Sequence, residues 1–148
     1  MPIKSFRGQL ATSGIETINL HTNNGMIGYR IVKLELMAVS PGKTTYENVL
    51  KVFTIPQTAV TGTIDFSDQT LLAAGYIANN SNNSTNAQSI VVFDNIIVNQ
   101  DIDITNIDRD DTATQAVNYY IELEQIKLDL NENTVATLKD IRNTSTPR

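Results

Sequence analysis

The sequence predicts an all-β protein: a single-domain β-sandwich or jelly roll of roughly eight to ten antiparallel strands, with one short C-terminal amphipathic helix. Three observations carry that expectation. Short apolar runs with period-2 alternation recur along the chain, separated by turns rich in Asn, Gly and Pro. Charged residues are only 18% of the chain and hydrophobic residues 41%, and Asn and Thr fill the difference, which suits strands and turns better than helix interiors. The longest uninterrupted strand pattern, residues 116–130, lies late in the chain and has one apolar and one polar face.

In order, residues 3–10 read as a first strand, with Ile3, Phe6 and Leu10 apolar and Gly8 a weak point. Residues 15–21 make a second, after the Ala11-Thr12-Ser13-Gly14 turn. Asn23-Asn24-Gly25 tolerates positive φ and is expected to close a hairpin onto residues 27–39. There Val32, Leu34, Leu36 and Ala38 alternate with Lys33, Glu35 and Met37, the mark of one buried face. Residues 49–55 are apolar on both faces, which predicts an inner strand ended by Pro56. Residues 57–70 read as short alternations anchored by Val60, Ile64 and Phe66. Residues 71–78 form another strand, thinly filled at Ala73-Ala74-Gly75. Residues 79–87, nearly all Asn, Ser and Thr, are expected to be a loop, because such side chains compete for their own backbone. Strands at 89–93, 96–99 and 101–107 follow, the last with Ile102 and Ile104 inward and Asp101 and Asp103 outward.

In the long strand, Val117, Tyr119, Ile121 and Leu123 alternate with Asn118, Tyr120, Glu122 and Glu124. The apolar phase then passes to Ile126, Leu128 and Leu130. A one-residue slip reverses every later side chain, so a bulge or bend is expected near Glu124 and Gln125. Beyond it, Val135, Leu138 and Ile141 recur every third residue, which predicts a helix over 131–143. Asn131 or Asn133 can cap it, and Glu132 at its start and Lys139 and Arg142 towards its end suit the helix dipole. About three turns with Thr and Val inside are marginal alone, so this helix must dock on its own sheet or on a partner. The chain therefore divides into a β-body, 1–130, and a C-terminal arm, 131–148.

Composition narrows the function classes. With no Cys, disulfides, thiol catalysis and cysteine metal sites are excluded. The opening Met1–Gly8 segment lacks an apolar core, so no secretory signal is expected there, and no apolar run reaches the about 20 residues that span a bilayer. The net charge is −5, yet both ends are locally basic, through Lys4 and Arg7 and through Lys139, Arg142 and Arg148. Basic ends on an acidic body argue against general nucleic-acid binding and suit terminal segments that dock on something acidic.

No reaction chemistry stands out. The one histidine, His21, precedes a turn, and no Gly-x-Ser-x-Gly elbow accompanies it. Glu122 and Glu124 share a strand face, but paired carboxylates for glycoside cleavage normally face each other from different strands. Asp101 and Asp103 fit the first and third positions of a twelve-residue calcium loop, yet Asn106 stands where its glycine belongs and Thr112 where its closing glutamate belongs. Tyr119 is expected in the core. Tyr120, on the wet face, is a candidate contact for a sugar or another protein chain.

Three stretches carry a resemblance: Gly28-Tyr-Arg-Ile-Val-Lys-Leu-Glu-Leu-Met37, Asn118-Tyr-Tyr-Ile-Glu-Leu-Glu124 and Thr134-Val-Ala-Thr-Leu-Lys-Asp-Ile-Arg-Asn143. In their style the chain resembles the small virion structural proteins of tailed bacteriophages of marine bacteria and cyanobacteria. The resemblance implies a non-enzymatic decoration (cement) protein on the head exterior, made in the bacterial cytoplasm. The alternative it implies is a tail or adaptor component; a receptor-binding (carbohydrate-binding) component is the rival reading, and the absence of Trp and an aromatic content of 6% count against it. The expected partners are the major capsid protein or another virion protein, and further copies of the chain; no nucleic acid, membrane, metal or cofactor is expected. The candidate partner contacts are Lys4, Phe6, Arg7, Tyr120, Val135, Leu138, Lys139, Ile141 and Arg142.

Overall fold

The structure, a computed structural model, describes residues 2–22, 25–41, 45–80, 85–110 and 114–128. These hold eight strands: β1 (Ile3–Leu10), β2 (Gly14–Ile18), β3 (Ile27–Ala38), β4 (Tyr46–Phe53), β5 (Leu71–Asn80), β6 (Thr85–Val92), β7 (Ile102–Asp108) and β8 (Val117–Lys127). They form two antiparallel sheets, one ordered β1-β8-β3 and the other β2-β7-β4-β5-β6. Pairing is nested: β1 lies on β8, β2 on β7 and β4 on β5. The expected helix over 131–143, and with it the whole arm 131–148, lies outside the described residues.

The two sheets share one apolar core. Leu34 and Leu36 of β3 and Ile121 and Leu123 of β8 meet Leu50 and Val52 of β4 and Ile102 and Ile104 of β7. Each comes from the inward half of a period-2 pattern, so strand alternation and sheet stacking agree. The thin filling at Ala73-Ala74-Gly75 has a reason. A Cβ on Gly75 would lie 2.6 Å from Leu36 Cδ1, so the missing side chain is what lets β3 approach β5. Tyr119 is buried, and its ring occupies the space beside Gly8. Burial raises the Tyr119 phenol far above the usual tyrosine range, and its hydrogen bond to the Glu16 carboxylate of β2 adds to that.

Several expectations are corrected. Residues 15–21 and 27–39 form no hairpin, because β2 and β3 belong to different sheets and the chain crosses between them. Asn-Gly chemistry reverses a chain but does not choose its new partner. The bulge lies on β3, where Val32 is extra between Ile31 and Lys33, and not at Glu124-Gln125. The register of β1 against β8 is unbroken, so the neighbour absorbs the irregularity and β8 stays regular to Lys127. Residues 79–87 are not all loop: Asn79 pairs with Asn86 and Asn80 with Thr85, extending the β5-β6 hairpin. Backbone ladder bonds need no particular side chain there. Residues 96–99 form only a bridge, with Val98 exchanging backbone hydrogen bonds with Tyr29 at 2.7 and 2.9 Å.

Residues 57–70 contain no strand, and Ile64 and Phe66 are exposed rather than anchoring. Asp65 Oδ1 accepts from Ser67 N and Asp68 Oδ1 from Thr70 N, two tight local turns. Thr54 N donates to Thr70 O at 2.8 Å, so the ends of this segment meet as in an Ω-loop. The loop lies over the outer face of the five-stranded sheet. That explains the last correction: Asp103 does point outward, but it is buried under the loop.

Candidate functional site

The outer face of the three-stranded sheet is assembled in rows by strand register. Arg7 pairs with Tyr120 and Tyr120 with Glu35, so one row runs Arg7, Tyr120, Glu35. The next row is Gln9, Asn118, Met37, with Gln9 Nε2 donating to Asn118 Oδ1 at 3.1 Å. On the other side lie Ser5, Glu122, Lys33 and then Glu124 with Arg30. A groove of about 750 Å³ crosses the first two rows and reaches Gln88 on β6.

Charge on this face is mostly neutralised in place. Lys33 Nζ lies 3.7 Å from Glu122 and 3.6 Å from Glu35, and Arg30 is paired with Glu124. Lys33 also sits 6.0 Å from the centre of the Tyr120 ring. Two features stand apart. Met37 is 65% exposed, the most exposed of the large apolar residues in the described part. Arg7 is exposed and has no ion-pair partner among the described residues. An arginine, a tyrosine and a methionine around a groove are the side chains that dominate protein contacts.

Of the sequence candidates, the structure brings Arg7 and Tyr120 together. Phe6 is turned inward and packs on the core. Lys4 lies 5.7 Å from the centre of the Tyr29 ring. Val135, Leu138, Lys139, Ile141 and Arg142 lie outside the described residues. Met37 and Glu35 join this face without being candidates from the sequence. Their signal, the polar phase of residues 27–39, is visible in the sequence, but their place beside Tyr120 needs the strand order.

The other chemical groupings are occupied structurally. His21 Nδ1 is 2.7 Å from Asp101 Oδ1, which also accepts the amides of Leu20 and His21 at 2.8 and 3.0 Å. Burial pushes the Asp101 carboxyl up, but the His21 ring and these amides outweigh it and hold it below the usual range. The pair fastens the end of the β2 segment to the start of β7. Asp103 accepts from Thr17 Oγ1 at 2.6 Å and from Gln57 N at 2.8 Å. Asp108 is buried and accepts the amides of Glu47, Asp110 and Gln115. These carboxylates serve three separate junctions. Among the described residues no group of three or more His, Cys, Asp or Glu is placed to hold a metal ion.

No family model, no curated protein and no solved structure matches the chain.

Proposed function

We propose that this chain is a non-enzymatic virion structural protein, a decoration (cement) protein that binds a capsid surface through the outer face of β1-β8-β3. The observation that carries this reading is the groove bordered by Arg7, Tyr120 and exposed Met37 on an otherwise ion-paired sheet. We also read the fold as a jelly roll. The nested order supports it: first strand on last and second on seventh, with β6 kept on β5 instead of crossing to β3. Jelly rolls recur in viral shells and in lectins, so the fold alone does not choose between contact with protein and contact with sugar.

Many copies on a repeating lattice multiply weak contacts into firm attachment. A rigid sheet face suits that task, because little side-chain freedom is lost when it docks. The basic ends noted in the sequence add Arg7 to this face; the arm 131–148 is the second proposed contact.

The test is incorporation. In particles assembled with Arg7→Ala/Tyr120→Ala in place of the native chain, occupancy should fall by about tenfold or more, the weight of a lost hot spot. Both side chains are on the solvent side, so the thermal midpoint should hardly move. Full occupancy of this variant refutes the face as the docking site. Deleting 131–148 tests the arm separately, with loss of occupancy at unchanged solubility as the expected result.

A further inference from the structure

The outer face of the other sheet holds a second pocket, independent of the docking face. Residues 54–70 roof a space of about 360 Å³ whose floor includes Lys51, Phe53 and Thr105. That volume is at the low end of the roughly 300–1,000 Å³ of small-molecule sites. Lys51 and Thr105 are register neighbours on β4 and β7, so their side chains leave the sheet side by side.

Two groups here are costly to bury. Lys51 is 6% exposed, yet it interrupts the apolar run Val49, Leu50, Val52, Phe53. Its ammonium donates to Thr61 Oγ1 at 3.2 Å and Thr63 O at 2.8 Å, which employs two of its three hydrogens. Thr105 is 1% exposed, and its hydroxyl has no hydrogen-bond partner among the described residues. A buried hydroxyl left unpaired is costly, so a group that meets it from the pocket is favoured. Burial holds the Lys51 amine below its ordinary range, with Asp68 partly opposing.

Charge selects the ligand class. Asp65 and Asp68 border the pocket along with Lys51. Two carboxylates against one ammonium disfavour an anion, while the ammonium in the floor disfavours a cation. A neutral ligand that both donates and accepts remains. Thr58, Thr61 and Thr63 add hydroxyl-bearing residues to the lining, and Pro56 and Phe53 give it apolar surface. Alternating hydroxyls on a partly apolar ring match that lining.

We propose that this pocket binds a single neutral monosaccharide unit, with ligand hydroxyls hydrogen-bonded to Lys51 Nζ and Thr105 Oγ1. Loop 54–70 closes over the sugar, and the size of the pocket favours one residue over an extended chain.

The experiment titrates the full-length chain with free glucose, galactose, mannose, fucose and N-acetylglucosamine at millimolar concentration and follows amide resonances by NMR. At least one sugar should produce saturable shifts confined to residues 51–71 and 103–105. Thr105→Val, which keeps the shape, should weaken that binding by about tenfold, the weight of one hydrogen bond in a dry site. Lys51→Met should abolish it, and Arg7→Ala/Tyr120→Ala should leave it unchanged. The proposal is overturned by a panel with no saturable shift, by binding that survives both Lys51→Met and Thr105→Val, or by acetate or inorganic phosphate binding the pocket more tightly than every sugar.

Discussion

The outer face of the three-stranded sheet meets solvent directly, whereas that of the five-stranded sheet is roofed by residues 54–70. The first carries its charges as short ladders, Lys33 with Glu122 and Arg30 with Glu124. The second carries Lys51 and Asp103 out of water, each held by the loop that covers it. The same strand alternation therefore gives two kinds of polar residue. On an open face a charge is screened and contributes little. Under a roof it fixes the roof in place, and losing it leaves buried groups unpaired.

Substitution should expose that contrast. Asp103→Ala strips Gln57 N and Thr17 Oγ1 of their acceptor beneath the loop, and should cost about 3 kcal/mol in denaturant unfolding. Lys33→Ala, on the open face, should cost no more than about 1 kcal/mol, although it too loses its carboxylate partners. Equal losses at the two positions would remove the distinction between the faces.

A pH series sharpens it further. The folded Lys51 amine binds its proton less tightly than the ordinary value of 10.5, so between its lowered folded value and 10.5 the unfolded chain holds more protons. Stability contributed by this residue must rise with pH across that window. The stability difference between the native chain and Lys51→Met should climb accordingly in alkaline unfolding curves; a flat difference contradicts the burial.

The smallest expected effect is at His21. Asp101 is held below 3.8, so its contribution is complete above 3.8 and is lost as pH falls through the lowered folded value. His21→Ala should move the Asp101 carboxyl up towards 3.8 in an NMR titration while the Leu20 and His21 amides keep part of the shift. No movement would show that the amides alone hold it.

What the sequence makes legible follows from where the information is local. The inner strand, apolar on both faces from Val49 to Phe53, and the alternation of 117–124, which buries Tyr119 beside half-buried Tyr120, are both local patterns, and the two-sheet body contains them. The crossover after residue 21 and the bulge at Val32 depend on which strands become neighbours, and no window around either position holds that information. The proposed docking face is half legible for the same reason: Tyr120 announces itself as a polar-face aromatic, but Met37 and Glu35 join it only through register. Lys51 carries a local signal of the covered face, a lone cation inside an apolar run. Hydrophobicity alone does not decide burial at Ile64 and Phe66; Phe66 stands 55% exposed against the edge of Phe93, with ring centres 5.1 Å apart.

The nested pairing also sets an order of events during synthesis. Gln9 and Asn118 join across a sequence separation of 109 residues, and every contact between β1 and β8 spans a comparable distance. A ribosome must therefore release almost the whole described body before the first strand finds its neighbour. The β4-β5-β6 meander can pair as it emerges, whereas the β1-β8-β3 sheet, with the proposed docking face, closes last. An unfinished chain would thus lack the surface by which we propose it attaches, so premature attachment is barred by topology itself.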